Sequence, residues 1–125
     1  MEGVLTDLKL EHCLPYSRNT PSLNPDEIDA LLAELAEWVV IEEDKMPRLK
    51  KQYIFDNFSK ALEFTNRIGL ISEVEDHHPA ILTEWGKVTV FWWTHVLHGL
   101  HRNDFIMAAK TDNLFQSYAS QEKGR

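Results

Sequence analysis

Histidine is the residue type in this sequence that is best suited to do chemistry. Five of the six histidines lie between His77 and His101, and three carboxylates, Glu73, Asp76 and Asp104, are close to them in the sequence. The unperturbed pKa of histidine, about 6.5, lets an imidazole donate or accept a proton near neutral pH. A neighbouring carboxylate can fix the tautomer of an imidazole or raise its pKa. The cluster therefore indicates either acid–base catalysis or metal binding.

The adjacent pair His77 and His78 differs from the isolated histidines. Most isolated histidines are surface or satisfied core residues, and we interpret three in that way: His12, His98 and His101. Pro79 restricts His78 to an extended backbone conformation, because the proline ring disfavours a helical residue before it. Two imidazoles on one rigid segment favour a functional interpretation for this pair.

Metal binding is the alternative to acid–base catalysis, because imidazole is the commonest metal ligand. Neighbouring residues of an extended segment point to opposite sides, so His77 and His78 would not easily bind one ion. The three later histidines would need one continuous helix to converge, and Gly99 and the preceding strand interrupt such a helix. Neither an H-E-x-x-H motif nor a cysteine pair occurs. We predict no metal site and keep a metal-dependent enzyme as an alternative.

The composition argues against several other classes of protein. The 13 lysines and arginines against 20 aspartates and glutamates give a net charge of −7, which repels nucleic-acid phosphates and anionic lipids. No apolar run has the length of a signal peptide or a transmembrane helix. Cys13 is the only cysteine, so the chain has no internal disulfide, and a reducing compartment is favoured. We expect a cytoplasmic protein with no direct nucleic-acid or membrane partner.

The elements that must position the histidines begin after a loosely ordered arm. Residues 1–23 show no sustained periodicity and are rich in loop-forming residues, and residues 24–125 are predicted to form a single domain. Asn24 can cap a helix, with Pro25 in its first turn and Glu27 completing a capping box. The apolar face of this helix follows at helical spacing: Ile28, Leu31, Leu32 and Leu35.

Two hairpins separated by a longer helix are predicted for the rest of the chain. Strands are expected at residues 38–41, 49–55, 80–85 and 87–94. Asp56 or Asn57 caps the longer helix, whose predicted buried stripe is Phe58, Ala61, Leu62, Thr65, Ile68 and Gly69. A last helix is predicted to begin near His101, and its inward-facing residues are Phe105, Ile106 and Ala109. The order α-β-β-α-β-β-α predicts an α+β fold, with helices on one face of a four-stranded antiparallel sheet.

The spacing of the candidate residues resembles the signature of the pterin-4a-carbinolamine dehydratases. The matching positions, each separated by the family's number of residues, are Glu73, His77-His78-Pro79, Trp85, His95 and Asp104. The resemblance extends from about residue 24 to residue 115. Residues 83–109 are especially similar to the bacterial branch that accompanies phenylalanine hydroxylase.

The resemblance implies dehydration of 4a-hydroxytetrahydrobiopterin to quinonoid dihydrobiopterin and water, without a metal or an organic cofactor. His77 and His78 are its acid/base candidates, and His95 completes the pocket; the division of acid and base roles is open. Asp104 would support His95 or cap the last helix. The carboxylates that orient histidines or hold the pterin are Glu73 and Asp76. The pocket wall is Pro79, Thr94, Val96 and Leu97.

The resemblance also implies partners. Related proteins assemble as homodimers or homotetramers, and a functional link to phenylalanine hydroxylase is expected. Animal members also bind a homeodomain transcription factor as coactivators, which makes a protein-interaction role the alternative function. The chain departs from the family at two positions. His101 stands where many relatives have the Ser or Thr that caps the last helix, and Asn103 precedes the aspartate where some relatives have Arg.

Overall fold

Three helices and a four-stranded antiparallel sheet make up the fold in the computed structural model, which describes residues 7–123 and the side chains of residues 7–118. The two longer helices cover one face of the sheet. The helices are α1 (Pro25–Leu32), α2 (Phe58–Glu75) and α3 (Arg102–Lys123). The strands are β1 (Val39–Glu43), β2 (Met46–Ile54), β3 (Ala80–Glu84) and β4 (Lys87–Trp92), in the spatial order β1-β2-β4-β3. The predicted fold class and element order are confirmed. No helix within the described residues is long and apolar enough to cross a membrane.

The start of α1 follows the predicted local chemistry. The side chain of Asn24 accepts a hydrogen bond from the Glu27 N–H at 2.8 Å, and the Glu27 carboxylate accepts one from the Asn24 N–H at 2.9 Å. These two bonds form the capping box, which satisfies donors that the first turn leaves without helical partners. The helix ends at Leu32, so Leu35 lies beyond it, although Leu35 still packs against the core.

The first hairpin is tighter than predicted. Its two-residue turn consists of Asp44 and Lys45, which both have positive φ, 52° and 62°, as the twist of a two-residue hairpin requires. Strand β2 therefore begins at Met46 rather than near Leu49. Pairing of β2 with β4 begins only at Leu49, so Pro47 pairs with β1 alone. A proline, which has no backbone N–H, is tolerated where a strand has a neighbour on one side only.

The buried face of α2 is rotated relative to the predicted one. Phe58 and Leu62 are exposed, so the prediction that they lie in the buried stripe was wrong. The residues that face the core are Ala61, Phe64, Ile68 and Ser72. The helix carries apolar residues on more than one face, and packing against the sheet selects one of them. The hydroxyl of Ser72 is satisfied by donating to the Ile68 carbonyl at 2.7 Å.

The core lies between the sheet and helices α2 and α3. Trp92 and Tyr53 are its largest fully buried side chains. The Tyr53 ring contacts the ring of Phe64 from α2 at 4.9 Å and that of Phe115 from α3 at 5.0 Å between centroids. Phe105 of α3 is buried as predicted. Trp92 at the end of β4 and Phe105 in the first turn of α3 belong to this core, and the candidate residues lie next to them, at the ends of α2 and β4 and the start of α3.

The described part of the N-terminal segment packs along the domain. Leu8 is buried in a short 3-10 turn, Leu8–Leu10, that contacts α3. The Leu23 N–H donates to the Leu100 carbonyl at 2.9 Å, just before α3. Residues 1–6 lie outside the described residues. The division of the chain into an arm and a domain at residue 23 stays a prediction.

Candidate active site

The end of α2 directs the two adjacent histidines apart. Asp76 follows the helix in the left-handed conformation, with φ of 53°, and turns the chain toward β3. The His77 N–H donates to the Ser72 carbonyl at 3.1 Å, which completes the helix end. His77 then points into the protein and is 3% exposed, whereas His78 points outward and has a 54% exposed side chain. The two imidazoles thus lie in different environments.

A fully buried carboxylate, that of Asp104, holds the inner imidazole. The His77 Nε2–H donates to Asp104 Oδ1 at 2.7 Å. The other oxygen, Oδ2, accepts the Thr94 hydroxyl at 2.8 Å and the His101 N–H at 3.0 Å. Asp104 thereby joins α2, the end of β4 and the start of α3. Of its two expected roles, capping α3 is observed, but the imidazole that it supports is His77 rather than His95.

Two aromatic rings enclose the His77 imidazole. Trp92 is stacked on it, with centroids 5.9 Å apart and planes at 12°, and Tyr16 meets it edge-on at 6.1 Å and 81°. Its Nδ1 is buried and has no hydrogen-bond partner among the described residues. Since Nε2–H is bonded to Asp104 and Nδ1 is buried, both ring nitrogens of His77 are withdrawn from solvent.

The outer imidazole forms a solvent-accessible pair with the last turn of α2. His78 Nε2 donates to Glu73 Oε2 at 2.5 Å, and the Glu73 side chain is also largely exposed. An exposed pair of this kind contributes little to stability. It can, however, exchange protons with both solvent and a bound molecule, because neither partner is covered.

Three of the remaining predicted residues form the 3-10 turn that follows β4, His95–Leu97, and the fourth, Pro79, directly precedes β3. His95 and Val96 are exposed, whereas Leu97 and Pro79 are half-buried. The His95 ring lies 6.0 Å from the ring of His98, and within residues 7–118 no hydrogen bond joins it to either imidazole–carboxylate pair. The structure therefore brings together His77 with Asp104 and His78 with Glu73, and leaves His95 separate from both pairs.

His101 has a role that the sequence interpretation missed. Its ring Nδ1 accepts the Asn103 N–H at 2.9 Å, so imidazole replaces the Ser or Thr hydroxyl as the cap of α3. Burial lowers the pKa of His101, with the charge of Asp104 opposing the shift and that of His77 adding to it. The neutral form is also the form that can accept the capping bond. The spacing of His101 and Asp104, which matches that of a capping box, was the available signal.

Arg102 and Asn103 hold the N-terminal segment. Arg102 donates two hydrogen bonds to the Glu11 carboxylate, at 2.9 and 2.7 Å. The Asn103 side chain accepts the Leu14 N–H at 2.9 Å and donates to the Leu14 carbonyl at 2.8 Å. The position where some relatives have Arg thus serves, in this chain, to fix residues 11–14 against α3.

Cys13, the single cysteine of the chain, lies in the segment that is fixed against α3. Burial, followed by the charges of Glu75 and Asp104, raises the pKa of the Cys13 thiol to about 12, so thiolate chemistry is disfavoured near neutral pH. No group of three or more His, Cys, Asp or Glu side chains in the described part of the chain could hold a metal ion.

Comparison with known proteins identifies the family of this chain. The pterin 4 alpha carbinolamine dehydratase family profile matches residues 21–114. Two proteins provisionally named pterin-4-alpha-carbinolamine dehydratases are similar: one from Microcystis aeruginosa is 50% identical over 90% of this chain and 97% of its own, and one from Chlorobium luteolum is 48% identical over 88% and 96%. A crystal structure titled transcriptional coactivator/pterin dehydratase, from Brucella melitensis, superimposes with a TM-score of 0.67 at 28% identity, over 74% of this chain and 97% of that one. The chain therefore belongs to the pterin 4 alpha carbinolamine dehydratase family, a family of hydro-lyases.

Proposed function

We propose that this chain dehydrates 4a-hydroxytetrahydrobiopterin to quinonoid dihydrobiopterin and water, and so recycles the pterin of an aromatic amino acid hydroxylase. The observation that carries the proposal is the presence of two imidazole–carboxylate pairs at consecutive positions, His77 with Asp104 and His78 with Glu73. They lie on the segment that the family profile matches.

The reaction needs two proton transfers and no redox step. The N5 lone pair of the carbinolamine forms the C4a–N5 double bond as the C4a–O bond breaks, the departing hydroxyl takes up a proton to leave as water, and N5 loses its proton. Histidine can supply both transfers, and general acid–base help contributes about a hundred- to ten-thousandfold. Neither a metal nor an organic cofactor is required for this balance.

The burial of the histidines divides these tasks. His78 and His95 are exposed and can meet a bound pterin, so they carry the proton transfers. Glu73 holds the His78 ring through the hydrogen bond to its Nε2. His77 is buried and acts as a positioning residue: through Asp104 it fixes Thr94, the residue directly before His95.

The pterin head offers an amino group and a ring N–H, which a carboxylate accepts well. Asp76 is exposed and directly precedes the two histidines in the sequence. Both Glu75 oxygens already accept bonds from the N-terminal segment. Asp76 is therefore the carboxylate that binds the pterin head. The pocket wall consists of Pro79, Thr94, Val96 and Leu97.

The decisive assay couples the purified chain to a phenylalanine hydroxylase and follows the decay of the 4a-hydroxypterin by absorbance. We expect acceleration over buffer, and a decrease on the order of a hundredfold in His78→Ala. His98→Asn is the matched control, because it removes an exposed histidine at a left-handed position that Asn tolerates. Decay at the buffer rate with wild-type protein would refute the proposed function. Equal rates in wild type and His78→Ala would remove His78 from the mechanism.

Protein interaction is a second candidate, favoured by an exposed apolar face on α2. Leu62, Leu70 and Val74 are 42%, 68% and 80% exposed and share one side of the helix. Such faces mark interaction sites, and the Brucella relative is titled a coactivator as well as a dehydratase. We propose that this face supports a homodimer or homotetramer. Light scattering should give a smaller mass for Leu70→Glu than for wild type, while Leu10→Glu, equally exposed elsewhere, keeps the wild-type mass.

A further inference from the structure

Tyr16 connects the N-terminal segment to the buried imidazole. Its ring meets the His77 ring edge-on, with centroids 6.1 Å apart, and lies 5.6 Å from the ring of His101. His77 and His101 are both linked to Asp104 by hydrogen bonds. Tyr16 is itself 37% exposed, so it lies between this buried group and solvent. The parallel Trp92 ring and the nearly perpendicular Tyr16 ring together limit the freedom of the His77 imidazole to rotate.

The segment that carries Tyr16 is anchored at several points. The Glu75 carboxylate accepts the Cys13 N–H at 2.8 Å and the His12 ring nitrogen at 2.8 Å. The paired bonds between Leu14 and Asn103, and those between Glu11 and Arg102, tie the same segment to α3. Hydrogen bonding and the neighbouring charge of Lys110 overcome burial and lower the pKa of Glu75, so this anchor is charged at neutral pH. Residues 11–16 are therefore held across α2 and α3, directly over His77.

The position of Tyr16 matters for the His77 imidazole in two ways. Nδ1 of His77 is buried without a partner, and water that reached it could bond to it and compete with the ordered ring position. An open edge would also let the ring leave the 2.7 Å bond to Asp104. The Tyr16 ring, nearly perpendicular to the imidazole with centroids 6.1 Å apart and itself partly exposed, covers part of the imidazole against both routes.

We propose that Tyr16 is a positioning residue of this site, closing the edge of the His77 imidazole to water and holding it against Asp104. The segment that supplies it precedes the part of the chain that the family profile matches. The inference deepens the proposed function and rests on it for the kinetic consequence, whereas the consequence for the accessibility of His77 does not depend on the reaction.

Chemical labelling tests the accessibility of His77 directly. Diethyl pyrocarbonate acylates accessible neutral imidazole nitrogens, and fragmentation of the labelled peptide separates His77 from His78, which serves as an exposed internal reference. The full-length chain should label His77 far more slowly than His78. In Tyr16→Ala we expect the His77 rate to rise on the order of tenfold, because local opening sets the protection of a buried group. Tyr16→Phe keeps the ring and should keep the wild-type rate.

Leu14→Ala is the matched control, because it shortens a 64% exposed side chain two residues before Tyr16 in the same segment. Labelling is done well below the thermal midpoint of each variant, so that unfolded protein does not contribute. An unchanged His77 rate in folded Tyr16→Ala would overturn the proposal. So would an equal increase in Leu14→Ala, since a general loosening of the segment would then explain the effect.

The coupled hydroxylase assay supplies the second readout. A positioning role predicts that Tyr16→Ala lowers kcat on the order of tenfold with less change in KM, because a displaced catalytic geometry affects the chemical step. Tyr16→Phe should restore kcat. A wild-type chain without dehydratase activity would refute the proposed function, yet the labelling result would still decide whether Tyr16 closes over His77. Full kcat in Tyr16→Ala, with His77 labelled rapidly, would overturn the positioning role.

Discussion

Replacing Asp104 by Asn tests the central connection of the site. The carboxylate is completely buried and accepts three hydrogen bonds, from His77, Thr94 and His101. In Asp104→Asn the amide oxygen can keep the two hydrogen bonds from Thr94 and His101, while the amide NH2 group faces His77 Nε2. The imidazole must then carry its proton on Nδ1, which is buried and has no partner among the described residues. The substitution thus changes charge and tautomer without changing shape.

The expected cost follows from these contacts. The two retained bonds lose their charge assistance, at about 1 kcal/mol each, and a buried unpaired N–H costs about 1–3 kcal/mol. The sum is about 3–5 kcal/mol, less than the stability of most domains, so the variant should still fold. Urea denaturation at pH 7 should show a midpoint lower by at least about 1 M with an unchanged m value.

Two further variants make the measurement specific. Asp29→Asn removes an exposed carboxylate of α1 and should change the stability by less than about 0.5 kcal/mol. A double-mutant cycle with His77→Gln should give a coupling energy above about 1 kcal/mol, since the two side chains are in direct contact. A loss below about 1 kcal/mol in Asp104→Asn, with no coupling to His77, would refute the reasoning that this carboxylate orders the site.

Three other predictions concern separate parts of the chain. His101 has a lowered pKa in the folded protein. Its contribution to the free energy of unfolding is therefore complete above the unfolded pKa of about 6.5 and is lost as pH falls through the folded pKa. The urea midpoints at pH 5 and pH 7.5 should differ less in His101→Ser than in wild type, because serine caps the helix without titrating. Asn24→Ala should cost about 1 kcal/mol in the same assay. Cys13, with a pKa of about 12, should react with a disulfide reagent at pH 8 far more slowly than after unfolding in urea, and equal rates would contradict its burial.

Local sequence patterns predicted the elements because short-range chemistry determines them. The Asn24 capping box involves residues three apart, and the cap of α2 at Asn57 likewise accepts the N–H of Lys60. Alternation and turn residues were enough to predict both hairpins. The buried face of α2 was beyond such patterns, since Leu62 and Phe64 are equally apolar and only contact with the sheet decides which of them is covered.

The sequence by itself predicted the candidate residues of the site: the histidine cluster, together with the resemblance of its spacing to the family signature, indicated His77, His78, His95 and Asp104. Tertiary structure decided which of them meet. Asp104 pairs with His77, 27 residues away, because the end of α2 and the start of α3 converge beside β4. Tyr16 approaches His77 across a separation of 61 residues. Contacts at such distances leave no periodicity in a single sequence, since they depend on how completed elements pack rather than on neighbouring residues.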